Sequence, residues 1–515
     1  MKNKLVYIWR LILLSLTVLL MVCGCGKREA DIEDADQFEG WVEENDAEFE
    51  EVSEAPQVVL ETRKEAIRRE SGQILVEGNI DTVKIAGEGY EMVAAAVADW
   101  TVQEEDSYAK MMEEYARSSE ELVQQLGDYG ETLRGYNVWY SVENTRLDSR
   151  VVSFCSAHTG YQGSISPESD YAGVSFDAQT GEKLEWEDLL TDKEAFWSKA
   201  ADYCWKQLKE KENAEDWPGG EEINAEKWKE GDIEWYLDAA GITIIFDPYE
   251  ISSDGMFVNL PYEEFSEWIK PEYVRGTYEG TAKLEVNYGA LVSLDGKEGT
   301  PQKVTLWVDD RIDDSDKVYL QVGDNRQELE MASFVRSAYL ICKEDGRVFL
   351  LLEVCMKSDG DMAYVYEITG GQIKQTAETE PDTGIWSGSI NVDSVKLESS
   401  VNVLGTYPAM QDYEITLNGE LKRISTEYRF ETLAEYKVLT VLRPVPVIED
   451  GREETLAKGT EIRIIGTDDA GVAYYRVEDS DETGEIHYTR AEDTDAILID
   501  GIEDVEYFEN LIYIK

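Results

Sequence analysis

The chain has 515 residues, with 109 acidic against 48 basic side chains, a formal charge of −61 and an isoelectric point near 4.2. Such a surface excludes nucleic acid and anionic lipid headgroups as partners, since both require Lys/Arg patches. It favours a cationic partner, bound divalent ions, or plain solubility in a crowded anionic envelope.

Lys2, Lys4 and Arg10 form a basic start, and Leu11 to Cys23 is an apolar run. That run is too short to span a bilayer and has the shape of a secretory leader. It ends in Val22-Cys23-Gly24-Cys25, a lipobox with a small residue directly before Cys25. The expectation is a leader over 1–24, cleavage before Cys25, lipid on Cys25, and attachment to the extracellular face of the cell membrane. Residues 25–56 then read as a tether. Glu29 to Glu54 holds thirteen acids and no base, a segment that repels itself and cannot collapse. Phe38, Trp41 and Phe49 interrupt it.

Residues 57–275 read as an α+β domain, a mixed or antiparallel sheet with packed helices. Gln73–Glu77 and Thr82–Ile85 suggest two strands joined at Gly78-Asn79. Glu91–Trp100 and Tyr108–Leu126 suggest two helices, the second with Met111, Met112, Tyr115, Leu122 and Leu126 at helical spacing. Gly135–Val142 and Arg150–Cys155 read as strands. Thr191 and Glu194 form a capping box for a helix to about Lys209, with Phe196, Trp197, Ala200, Ala201, Cys204 and Leu208 on one face. Residues 210–230 read as a charged loop.

The run from Trp235 to Tyr273 is the most specific. Gly241–Phe246 is rich in β-branched and aromatic residues and reads as a strand that Asp247-Pro248 ends. Ser252–Gly255 reads as a turn and Met256–Leu260 as the returning strand. Pro261 precedes a helix from about Tyr262 to Lys270.

The order of these words, Trp235-Tyr236-Leu237, Gly241, Phe246, Pro248-Tyr249-Glu250-Ile251, then a Gly turn and Pro261-Tyr262, resembles the extracellular domain of RsiV-type anti-sigma factors. The same domain occurs beside polysaccharide deacetylase domains of the PdaC type and in clostridial-type lipoproteins. Ala157-His158-Thr159-Gly160 is similar to the family's element before a strand, and Tyr171–Asp188 to its strand, Asp-x-x-Thr-Gly hairpin and helix entry. The resemblance covers about Trp139 to Tyr273. It implies a binding domain whose RsiV-type relatives are receptors for lysozyme. Its candidate binding-surface residues are His158, Tyr161, Tyr171, Tyr249 and Tyr262. The chain carries no cytoplasmic part, so the resemblance implies a decoy, inhibitor or co-receptor rather than an anti-sigma factor.

Residues 276–433 read as a β-rich domain of strands and turns. Ala338–Cys342 and Arg347–Glu353 form a hairpin about Asp345-Gly346, which sets Cys342 opposite Phe349. Met362–Ile368 follows as a further strand. Residues 434–515 resemble a bacterial SH3-like small barrel, through Val438–Leu442, Leu456, Gly459, Ile462, Ile464, Ala473–Val477 and Gly484-Glu485-Ile486. The resemblance implies peptidoglycan or glycan binding.

Cys155, Cys204, Cys342 and Cys355 lie beyond the leader and permit two disulfides or four thiols. The chain is large enough not to need staples, which favours thiols. Only His158 and His487 exist, and neither lies near a nucleophile motif. Cys155-Ser-Ala-His158 lacks the second ligand pair that a zinc site requires. Asp309–Asp316 and Asp479–Asp481 admit weak calcium binding but do not match an EF-hand. The expectation is a non-enzymatic binding or sensing lipoprotein without a cofactor. Its partner would be lysozyme or another cationic wall-directed protein, or else peptidoglycan.

Overall fold

In the computed structural model, strands make up 53% of the described residues and helices are few. The structure describes residues 55–513 apart from 134, 164–166, 210–232, 249, 252–254, 275–278, 295–300, 310–316, 330–331, 357–359, 431–437, 450, 479, 481 and 492–495. The leader, Cys25, the tether up to residue 54, Tyr249 and most of the 309–316 loop therefore lie outside the described residues. No helix among the described residues is long and apolar enough to cross a membrane.

The N-terminal region is a sheet with a helix on it. β1 (Gln57–Arg68) and β2 (Ile74–Ala86) form an antiparallel hairpin. β2 is one strand, where the sequence suggested two. Gly78 is not a turn residue: a Cβ there would strike the Tyr108 hydroxyl and the Met112 sulfur of the covering helix. That helix, α1 (Glu91–Leu126), is continuous over 36 residues. The polar stretch Gln103–Ser107 hides the period but holds no Gly or Pro to break it. β3 (Tyr136–Asp148) runs parallel to β2 and antiparallel to β4 (Val151–Tyr161), which pairs with the edge strand β5 (Glu168–Asp177). Ala157–Gly160 lies inside β4 rather than ahead of a strand.

Behind β5 come α2 (Trp186–Leu189) and α3 (Lys193–Lys209). Asp192, not Thr191, caps α3 by accepting the Ala195 N–H at 3.0 Å. The apolar face expected for α3 is buried, Cys204 included. It packs on a three-stranded sheet of β6 (Trp235–Leu237), β7 (Gly241–Phe246) and β8 (Met256–Pro261). The helix expected to reach Lys270 is instead one turn, α4 (Tyr262–Phe265). A 3₁₀ turn follows, and then α5 (Pro271–Val274), which Pro271 starts.

β9 (Gly280–Lys283) sits between β3 and β14 (Ala332–Cys342), so one hydrogen-bonded sheet runs from the N-terminal region into the middle one. It continues through β15 (Val348–Met356), β16 (Gly360–Glu367) and β17 (Lys374–Glu378). The β14–β15 hairpin forms as expected, but its five-residue turn sets Cys342 opposite Val348. Among the described residues no disulfide joins Cys155, Cys204, Cys342 or Cys355. A separate antiparallel sheet, β10 (Gly289–Ser293), β11 (Pro301–Asp309), β12 (Lys317–Val322) and β13 (Asn325–Leu329), covers one face.

Most of the remaining strands form one open sheet, and Thr489–Arg490, Ile497–Ile499 and Ile502–Glu503 form a small separate one. β18 (Gly384–Ile390), β19 (Val395–Asn402) and β20 (Thr406–Ile415) lead through Tyr428–Arg429 into Glu461–Thr467, Val472–Val477 and Thr483–His487. The short C-terminal strands are present, but no closed barrel forms among the described residues. Their ladder continues into the middle region at Tyr428↔Thr467.

Candidate functional site

The β6–β7 hairpin turns on Asp238. Its carboxylate accepts the N–H groups of Ala240 (2.8 Å) and Gly241 (2.9 Å) and the Thr243 hydroxyl (2.6 Å). Asn259, on the returning strand β8, donates to both oxygens at 3.0 and 2.8 Å. Gly241 is required because a Cβ would meet the Leu260 carbonyl. Burial, with the Glu285 charge adding to it, pushes the Asp238 pKa up to about 7. The donors pull the other way, and a ring of donors suits the ionised, acceptor-only form.

A second polar knot lies beside it. Arg146 is 2% exposed and pairs with Asp148 at 2.6 Å. It also donates to the Tyr262 hydroxyl (2.9 Å) and the Tyr273 carbonyl (2.7 Å). Burial pushes the Tyr262 phenol up to about 12 although the Arg146 charge opposes this. Arg146, Asp238, Ala239, Tyr262, Ala282 and Leu340 enclose a cavity of about 10 Å³, room for a single water and no ligand.

A third knot bridges the sheets. Lys283 pairs with Glu143 at 2.9 Å and Glu285 at 3.0 Å. Tyr236 donates to Glu285 at 3.0 Å, and Tyr339 donates to Glu143. Burial lowers the Lys283 pKa, but the two carboxylates hold it well above the ordinary lysine range. Cys155 lies opposite Glu143 across β3–β4, and burial pushes its thiol well above the ordinary cysteine range.

Access from solvent lies at the β5 edge. The outward N–H of Tyr171 donates to Asp247 at 3.2 Å and that of Gly173 to Glu234 at 3.2 Å, so acids protect this edge. Beside them Ser175, Lys183, Glu185, Glu234 and Trp235 line a polar pocket of about 80 Å³. Burial raises the Glu234 pKa; the Gly173 N–H and Lys183 oppose it.

Residues 187–277 match the family model described as a protein of unknown function, DUF3298. The chain carries a DUF3298 domain. Two solved DUF3298 structures are similar. One, from Bacteroides fragilis, is 12% identical, covering 43% of this chain and 96% of its own, at a TM-score of 0.31. The other, from Pseudomonas aeruginosa, is 16% identical, covering 44% and 100%, at a TM-score of 0.31. No curated protein matches.

Around the DUF3298 domain the candidate residues separate. Tyr171 lies opposite Ala157, and Tyr161 follows on the same face of β4, away from α1. Tyr171 meets Phe257 of β8 edge to face, with centroids 5.2 Å apart, and the Thr159–Ser169 hydroxyl pair at 2.9 Å shares this face. Tyr161, Tyr171 and Phe257 are all partly exposed. His158 points to the other face, where it bonds Glu104 of α1 at 2.8 Å and packs on Tyr140. Strand alternation thus parts Cys155 from His158. Among the described residues no group of three His, Cys, Asp or Glu is placed to hold a metal. Tyr262 is buried and structural, and Tyr249 lies outside the described residues. Sequence reasoning missed Asp238, Asn259 and Arg146. An Asp three residues before a Gly, inside a run that must turn, was the available signal for Asp238.

Proposed function

We propose that the chain is a lipid-anchored binding or sensing module on the extracellular face of the membrane, held through Cys25. The face that β4 and β5 form with β8 of the DUF3298 domain takes lysozyme or another cationic wall-directed protein. The observation that carries this reading is the partly exposed Tyr161–Tyr171–Phe257 face, with Ser169 and Thr159 on it and Asp247 at its edge, where it accepts the Tyr171 N–H. An aromatic centre with a polar rim is the pattern of a protein interface. The charge of −61 speeds encounter with a basic protein. The resemblance to RsiV-type receptors supports the same partner. The polar knots beneath hold the face in place, and no catalytic role is proposed for them.

A second reading is peptidoglycan or glycan binding through residues 434–515 as an SH3-like module. The short strands and tight hairpins from Leu439 to His487 support it.

The test is binding of lysozyme to the full chain at low and near-physiological salt. The isolated segment 57–275 is unsuitable, since β9 completes its sheet. Saturable binding that survives a Debye length of about 8 Å is expected, with inhibition of the lysozyme. Tyr171→Ala should weaken it about tenfold, or about 1.4 kcal/mol. Binding that disappears with salt would reject the receptor reading.

A further inference from the structure

The β10–β13 sheet carries a second aromatic surface, outside the DUF3298 domain. Side chains alternate across its strands. Val304, Leu306, Val318, Leu320 and Val322 point inward and are fully buried. The outward positions hold Trp307, paired across strands with Tyr319, and Arg326 and Glu328 on β13. The Trp307 and Tyr319 rings stack with centroids 4.5 Å apart at 23°. The Arg326 guanidinium lies 4.3 Å from the Trp307 centroid and 4.0 Å from that of Tyr319.

The core beneath these rings is complete without them, so their partial exposure does nothing for it. Trp, Tyr and Arg are also the residue types that dominate binding hot spots. The neighbouring polar groups have partners: Glu328 takes Lys317 at 2.7 Å and the Tyr319 hydroxyl at 3.4 Å, and Lys303 pairs with Glu263 at 2.5 Å. Among the described residues Arg326 makes no ion pair, so its donors are left to the ring face and solvent.

Charge selects the occupant. The chain at −61, with five Asp between 309 and 316, repels a polyanion. On the face itself Lys317 and Lys303 are neutralised by Glu328 and Glu263, and the charge left over, on Arg326, is positive, so a polycation finds nothing to hold there. A neutral ligand with flat C–H faces and many hydroxyls satisfies what remains. We propose that Trp307, Tyr319 and Arg326 form a binding site for a neutral hexopyranose oligosaccharide. The sugar rings stack on the aromatic pair, Arg326 donates to hydroxyl or acetamido oxygens, and Glu328 and Gln321 accept from hydroxyls. The site is independent of the receptor reading and lies apart from the C-terminal region of the glycan reading.

The experiment titrates the full chain with N-acetylglucosamine hexamer and with glucose hexamer, by tryptophan fluorescence and calorimetry. Saturable binding of at least one is expected. Trp307→Ala should weaken it at least tenfold, and Arg326→Lys, which keeps the charge but loses the planar fork, several-fold. Trp307→Phe is the milder variant, with an intermediate loss, if the alanine protein does not fold. Tyr171→Ala should bind sugar as the wild type does, which separates this site from the receptor face. Three results would each overturn the proposal: no binding of either hexamer, unchanged binding in folded Trp307 variants, or a proline-rich peptide binding this face in place of sugar.

Discussion

The hairpin region around Asp238 and the C-terminal sheet are both antiparallel strands, yet different forces hold them. Beneath β6–β8 and β3 the interior is laced with charge: Arg146, Asp148 and Asp238 are each no more than 3% exposed, and each is bonded. In the C-terminal sheet the interior is apolar, built from residues such as Leu439, Val445, Ile462, Ile464, Tyr475 and Phe508. Of its ion pairs, Arg463–Glu478 is partly buried and Arg490–Asp469 stands at the rim. An apolar core tolerates slippage and repacking, whereas a buried charge network is satisfied in only one arrangement. The polar knots therefore fix where Tyr171 and Phe257 stand, while the C-terminal sheet needs only the right volume.

The largest effect should come from breaking a knot. Arg146→Ala leaves Asp148 buried without its counter-charge and strips partners from Tyr262 and the Tyr273 carbonyl. The expected cost is about 3–5 kcal/mol, read as a lowered urea midpoint of the full chain. A loss below about 1 kcal/mol would erase the contrast between the two regions.

The same contrast decides what could be read from sequence. β7, β8, α3 and the β14–β15 hairpin were legible, because each has its own period and its own turn formers. β1 was not recognised, since Arg63, Lys64 and Glu65 carry no strand signal of their own; only the pairing with β2 settles them. Gly78-Asn79 looked like a turn because glycine serves turns and close packing alike, and the packing partner Tyr108 lies on a different element. Tyr161 and Tyr171 were grouped with His158 through the family resemblance; alternation sets the two tyrosines on one face, but nothing local shows that His158 turns the other way, toward Glu104. Lys283, Glu143 and Tyr339 were invisible for the same reason: they meet only after strands far apart in sequence pair into one sheet.

A second, smaller effect concerns buried acids outside the knots. Glu353 is 7% exposed and bonded to Ser337 at 3.0 Å, and burial pushes its pKa up to about 7. Burial likewise pushes Asp81 up to about 6. A carboxyl whose folded pKa is raised keeps its proton where the unfolded chain has lost it. Its contribution is complete below the unfolded pKa and is lost as pH rises through the folded one. The melting temperature should therefore fall between about pH 4 and pH 7. Glu353 accounts for at most about 3 kcal/mol of that, at 1.36 kcal/mol per unit. Glu353→Gln should flatten the slope, and an unchanged slope would show that the acid is ionised in the fold.

The smallest effect belongs to the rim of the C-terminal sheet. Arg490 meets Asp469 at 2.6 Å and the Asn402 carbonyl at 3.0 Å, but both side chains of the pair are about a third exposed (34% and 37%). Water and salt screen such a pair, and holding the long side chain costs entropy that offsets the attraction. Arg490→Ala should cost under about 1 kcal/mol in the same urea titration, and added salt should shrink the difference further. A cost approaching that of Arg146→Ala would mean that this sheet, too, depends on placed charges. Its apolar interior would then not suffice to set its strands.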